Sequence, residues 1–176
     1  MRYRRATSQG GSFFFTVNLV DRESNLLTRH AADLRLVVQT VKQAHPFVLV
    51  AMVVLPEHLH AIWRLPEGDA DYAMRWSLIK AGFSRRVART EPSTPSRRRK
   101  RERGIWQRRY WEHQIRDDDD LKRHVDYIHY NPVKHGWVER AVDWPDSTLH
   151  GYIARGVCSP DWGGGADIRG GGFGER

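Results

Sequence analysis

A chain of 176 residues, 40% hydrophobic and 11% aromatic with seven tryptophans, carries enough apolar surface for one packed domain and does not have the composition of a disordered protein. Its formal net charge is +8, and residues 85–103 alone hold nine Lys/Arg against Glu91 and Glu102, so the excess sits in one segment suited to a polyanion, nucleic acid first. The single cysteine, Cys158, excludes an intrachain disulfide and a cysteine zinc cluster. The longest apolar run, residues 47–55, is far short of a membrane span, and residues 1–11 lack the apolar core of a secretory signal, so a cytoplasmic location is expected.

Phe13 to Val20 alternates Phe13, Phe15, Val17 and Leu19 against Thr16 and Asn18, the period of a strand. Ala31 to Ala44 follows as a helix, with Leu34, Val37, Val38 and Val41 at helical spacing and His45-Pro46 as its stop. Phe47 to Leu55 is apolar at every position and predicts a central strand; Pro56-Glu57 turns it into a second strand, His58 to Leu65, as an antiparallel hairpin. A second helix is expected over Asp71 to Arg89, and Thr90 to Arg103, rich in Pro, Ser and Arg, as a mobile basic loop. Ile105 to Ile115 predicts a fourth strand. The run Asp117-Asp118-Asp119-Asp120 places carboxylates at the positive end of a helix dipole, opening a helix from about Asp118 to Tyr130 that stops before Pro132. The order strand, helix, strand, strand, helix, strand, helix predicts an α+β fold, a ferredoxin-like split β-α-β sandwich with an antiparallel sheet and an added C-terminal helix. The expected division is a domain over residues 1–150, including the basic loop at about 90–104, and a tail over 151–176. From Gly156 onward eight of 21 residues are glycine, and this tail is expected to be disordered.

Two constellations carry chemistry. His58 and His60, at i and i+2 of a strand, project their imidazoles from one face, where a pair can hold a metal or simply be partly exposed residues of a hairpin. Projected at roughly 100° per residue, the last predicted helix turns Leu121, Val125 and Ile128 to the core and lines up Asp120, His124, Tyr127 and Asn131 on its flank, with Tyr130 nearly opposite. Taken alone, Tyr127 reads better as a residue at the core border and Asn131 as a cap. Taken with the histidines, an amide oxygen from Asn131 completes a metal site with open positions for a phosphate, and Tyr127 supplies a nucleophile one turn away.

Pro56-Glu57-His58-Leu59-His60, the stretch Trp106-Gln107-Arg108-Arg109-Tyr110-Trp111-Glu112-His113, and Tyr127-Ile128-His129-Tyr130-Asn131-Pro132-Val133-Lys134-His135-Gly136 together resemble the REP-associated tyrosine transposases, relatives of the single-tyrosine HUH transposases of the smallest insertion sequences. The resemblance covers roughly residues 1 to 150. It implies a nuclease domain that recognises imperfect-palindrome hairpins in single-stranded DNA and cleaves beside them, with a divalent ion such as Mg²⁺ or Mn²⁺, leaving a 5′-phosphotyrosine and a free 3′-hydroxyl. His58 and His60 match the histidine pair, Tyr127 the nucleophile and Asn131 the polar residue one turn later. It points further to a monomer, although relatives in insertion sequences work as dimers.

Other residues divide between functional and plain readings. Arg97, Arg98, Arg99, Lys100, Arg101 and Arg103 put six cations in seven residues, which a polyanion would neutralise. Lys80, Arg85 and Arg86 could contact phosphates or merely face solvent, and Arg2, Tyr3, Arg4 and Arg5 could clamp DNA or fray. His124 and Asp120 are expected to be solvated positions rather than proton-transfer groups. The competing functional reading is a binding protein for hairpin DNA or RNA in which Tyr127 is catalytically idle.

Overall fold

The computed structural model describes residues 10–89, 94–100 and 103–163. Four strands, β1 Gly11–Asn18, β2 Val48–Val54, β3 His58–Leu65 and β4 Trp111–Gln114, form one antiparallel sheet in the order β2-β3-β1-β4. Among the described residues six α-helices and a 3₁₀ turn, Ala141–Asp143, accompany them: α1 Leu26–Arg29, α2 Ala31–Ala44, α3 Tyr72–Arg86, α4 Pro95–Arg99, α5 Asp118–Lys134 and α6 Leu149–Ala154. This is the expected ferredoxin-like α+β arrangement, with α2 and α3 on one face of the sheet and α5 added on the other. No helix of the described residues is long and apolar enough to cross a membrane.

Both faces of the central strands are covered, which explains why Phe13, Phe14 and Phe15 are all fully buried although adjacent side chains of a strand point oppositely. Phe13, Phe15, Val17, Leu59, Ala61 and Trp63 face the α2 and α3 layer, where the Trp63 ring stacks on Trp76 with centroids 4.2 Å apart. α2 and α3 approach closely at Gly82, where a Cβ would stand 2.7 Å from the Val37 side chain, so only glycine fits without a shift. Arg75 of α3 is buried and ties two loops together, donating to both carboxylate oxygens of Asp69 and to the carbonyls of His45 and Pro46. The opposite face presents Phe14, Ala51, Val53 and Ile62 to Tyr127 and Ile128 of α5.

The boundaries of α2 and β3 match the sequence expectation, and three other regions differ. Only 111–114 of the expected strand over 105–115 pairs regularly; Ile105 and Trp106 are both buried in the α2 and α3 side core, which strict alternation forbids, and the segment before β4 crosses as a loop with a single bridge between Trp106 and Leu19. The basic loop contains α4, and Arg103 anchors its far end by donating to the Ser84, Val87 and Ala88 carbonyls at the end of α3. The last helix does not stop before Pro132. α5 continues to Lys134, losing the hydrogen bond that the proline nitrogen cannot donate, and ends where Gly136 takes a positive φ of 71°. Asn131 and Pro132 are buried against the sheet, and that packing offsets a cost of about 3 kcal/mol for an interior proline.

Beyond α5 the chain returns along β2. Val54 donates its N–H to the Asp146 carbonyl, the Trp144 indole donates to Val54, and the Tyr152 hydroxyl of α6 donates to Val50. α6 spans the division expected at residue 150; of the tail expected to be disordered over 151–176, residues 151–163 are described, helical as far as Ala154 and with Trp162 packed against the α5 side core, while 164–176 lie outside the described residues.

Candidate active site

β3 pairs with β1 so that His58 lies opposite Asn18 and His60 opposite Thr16, all four on the face toward α5. The two imidazoles stand 4.9 Å apart and are buried, at 1% and 0% exposure. Each is held from behind. The Nδ1–H of His58 donates to a Glu57 carboxylate oxygen at 2.7 Å, and Nδ1 of His60 shares a hydrogen bond with the Thr16 hydroxyl at 2.8 Å. These partners orient the rings, and Nε2 of His58 has no hydrogen-bond partner among the described residues. Burial, followed by the nearby charges of His58, His135 and Lys134, holds the His60 pKa well below the usual histidine range, so the ring is neutral. Burial would raise the Glu57 carboxyl, but the hydrogen bond from His58 and neighbouring positive charge leave it below its ordinary value. Imidazoles fixed through Nδ1, with buried Nε2 atoms on one face, are what a divalent cation requires of two histidine ligands, so the residues fit a metal.

α5 crosses above this pair. Tyr127 is 1% exposed, with its ring 5.3 Å from that of His60, and the ring of His135 lies 5.4 Å from His58. Asn131 is fully buried and stands midway, at four-residue spacing, between Tyr127 and His135, the two residues whose rings meet the histidines. Lys134 donates from Nζ to the Tyr127 oxygen at 3.2 Å. Tyr130 packs at the rim of the adjoining core, and Tyr110 lies on the other side of the sheet, 6.0 Å from Phe15 and under the Lys80 ammonium. Of these three tyrosines, the one against the histidines is Tyr127.

The first turns of α5 carry a second cluster. Asp120 and His124 are buried, at 1% and 3% exposure, where the sequence suggested solvated positions. The reason is β4, whose His113 donates to Asp120 at 2.9 Å and stacks on His124 at 4.8 Å. Ligand atoms of His113, Asp120 and His124 lie within 4.8 Å of one another, close enough to share a cation. The Asp120 carboxylate also accepts from Arg116 backbone and guanidinium and from Arg123, so its charge is already met within the protein. Burial opposes ionisation there, but these donors hold the carboxyl far below the usual range.

The basic residues are dispersed. An open groove of about 690 Å³ lies between α3 and residues 103–110, on the side of the sheet away from the histidines, lined among others by Trp76, Arg85, Arg89, Lys100 and Tyr110. Lys80 lies in its wall but is spent internally: it donates to the Gln107 carbonyl at 3.0 Å, and burial lowers its pKa to about 8. Arg86 pairs with Asp33, while Arg85, Arg99 and Lys100 are exposed and Arg97 half-buried. Arg98 falls within α4; Arg2, Arg4, Arg5 and Arg101 lie outside the described residues. Sequence reasoning missed Thr16 and Glu57 as supports, and it missed Lys134 and His135 because it ended the helix at Pro132. Counting on from Asn131 by three and four would have found the latter two.

A buried histidine pair on a ferredoxin-like sheet, facing a tyrosine on an added helix, is the arrangement expected of a tyrosine transposase. The chain is 47% identical over 174 residues to the REP-associated tyrosine transposase of Escherichia coli (strain K12), covering 99% of this chain and 96% of that one. It is 44% identical over 168 residues to that of Haemophilus influenzae, covering 95% and 96%. No family model matches. A solved REP-associated tyrosine transposase bound to a REP hairpin superposes with a TM-score of 0.85 at 46% identity, covering 100% of this chain and 98% of that one. The chain belongs to the REP-associated tyrosine transposases, and it is an enzyme of that class.

Proposed function

We propose that the chain is a metal-dependent single-stranded DNA endonuclease and strand transferase that recognises hairpin repeats, with Tyr127 as nucleophile and His58, His60 and Asn131 as ligands of Mg²⁺ or Mn²⁺. The observation that carries this reading is the single stripe of Tyr127, Asn131 and His135 laid across the buried histidine pair. A bound divalent ion would polarise the scissile phosphate and offset charge developing on it. The residues do the rest: Glu57 and Thr16 hold the imidazoles in register, and burial of the Tyr127 ring limits the directions from which its oxygen can meet phosphorus. The Tyr127 oxygen bonds to phosphorus as the P–O3′ bond breaks. The product is a 5′-phosphotyrosine and a 3′-hydroxyl.

Hairpin recognition is supported by the relative solved with a REP hairpin and by the exposed cations Arg85, Arg99 and Lys100, with Arg97 beside them. Arg98, Arg101 and the amino-terminal Arg2, Arg4 and Arg5 belong to the same proposed DNA surface. Lys80 and Arg86 would serve it indirectly, since both are already bonded within the protein. The protein acts as a monomer in the cytoplasm in this reading. The test is adduct formation: the full chain, Mn²⁺ and an end-labelled single-stranded REP hairpin should yield a DNA-linked protein stable to denaturing electrophoresis, with peptide mass spectrometry placing the DNA on Tyr127. Tyr127→Phe keeps the ring and should form none; an adduct on Tyr130, or one persisting in that variant, would overturn the assignment.

A further inference from the structure

We propose that Lys134 is a further catalytic residue, whose ammonium is the counter-charge for the Tyr127 oxygen both when it attacks phosphorus and when it is later displaced. The proposal rests on Tyr127 being the nucleophile. Lys134 stands seven residues after Tyr127, two helical turns on, and shares its stripe only because α5 runs through Pro132. Side chains of a helix lean toward its N-terminus, and this one leans back far enough for Nζ to lie 3.2 Å from the phenolic oxygen and 4.7 Å from the ring centroid. A cation in the last turn of a helix often serves only the exposed carbonyls of the helix end. Here the ammonium is aimed at the oxygen that attacks and is later displaced.

The environment makes that charge count. Lys134 is half-buried and Tyr127 almost fully so, which limits how far water screens the contact. Burial also lowers the lysine pKa from its ordinary value, the sign of an ammonium that lacks full hydration and gains from an anionic neighbour. The Lys134 proton stays in place throughout. In cleavage the phenolic proton passes to water, the O–P bond forms, the P–O3′ bond breaks and the leaving 3′-oxygen takes a proton from water. In strand transfer a 3′-hydroxyl of DNA attacks the phosphotyrosine, losing its proton to water, and the phenolate leaves beside Lys134. One charge therefore assists both directions.

The experiment compares Lys134→Arg, Lys134→Gln and Lys134→Met with the wild-type full chain. Single-turnover adduct formation is measured on an end-labelled single-stranded REP hairpin with Mn²⁺, and its reversal by chasing purified adduct with a 3′-hydroxyl oligonucleotide. Removing the charge should slow both directions by about 100-fold, the scale of one lost preorganised donor to a developing oxyanion. Hairpin affinity should stay within about twofold and Lys134→Arg should recover at least about tenfold of the rate in both directions, which a role confined to binding or folding would not produce. Wild-type rates in Lys134→Gln or Lys134→Met overturn the proposal, as does a loss in one direction only, or an equal loss in Lys134→Arg and Lys134→Gln. If a wild-type adduct forms but not on Tyr127, the nucleophile assignment itself falls and takes this proposal with it.

Discussion

His60 combines burial, neutrality and an oriented ring, each with a separate cause, and each cause can be removed singly. His60→Ala should abolish cleavage while leaving hairpin binding nearly unchanged, because in the proposed mechanism the ring serves chemistry and the basic surface serves affinity; a gel-based cleavage assay beside a filter-binding titration distinguishes the two. Thr16→Val keeps shape but removes the hydroxyl that holds Nδ1, and should weaken Mn²⁺ binding about 10-fold in calorimetry. His129 makes a different prediction. It is fully buried, bonded to Thr148, and burial pushes its pKa down to about 4. An unfolded histidine takes up its proton near 6.5, so the unfolded state binds more protons in between. The fold should keep its full stability above about pH 6.5, lose it as the pH falls toward 4, and lose no more from this residue below that, roughly 3 kcal/mol in all. Urea titrations at pH 7 and 4.5 should differ less for His129→Gln than for the wild type; part of the slope should survive, since His60 is shifted in the same direction.

At the scale of elements, α5 brings the proposed catalytic stripe together, and its first turn fixes where it lies. Asp117 caps it by accepting from the Asp120 N–H at 2.7 Å, and three further carboxylates occupy the turn where the dipole favours them. Asp120 then binds the helix to β4 through His113 and to its own flank through Arg116 and Arg123. Asp120→Ala strands those donors, His113 among them half-buried, and should cost about 3 kcal/mol in urea unfolding, with a slower adduct rate as α5 shifts over the histidines. A loss below about 1 kcal/mol would mean that packing of Tyr127 and Ile128 positions the helix without this brace. The start of α5 was readable from its acidic run, a local signal. Its end was not, because proline is a strong local stop and only burial of Asn131 and Pro132 against the sheet overrides it.

For the whole molecule, Arg85, Arg89 and Lys100 line a groove on the side of the sheet away from the proposed catalytic histidines, so affinity and chemistry should separate in experiment. Neutralising Arg85, Arg97, Arg99 and Lys100 together should weaken binding to all single-stranded DNA and flatten the salt dependence by up to about one unit of slope per lost phosphate contact. Lys80→Ala should instead leave the slope alone and lower stability, because its ammonium is tied to the Gln107 carbonyl over the Tyr110 ring. An unchanged slope in the fourfold variant would separate this surface from DNA.

The order of elements, the hairpin that presents His58 and His60, and the phase that puts Tyr127 beside Asn131 were determined by the sequence itself, since alternation, helical period and turn residues act over a few positions. Other features depended on elements far apart in the chain. Thr16 reaches His60 across forty-four residues only because β1 pairs with β3 in one register, and Asp120 and His124 turned from expected surface into core because β4 folds beside them. Lys134 and His135 joined the site because packing carried α5 past a proline. Local patterns name the residues, but which of them meet is decided by pairing and burial, whose free energies exist only once the chain has closed on itself.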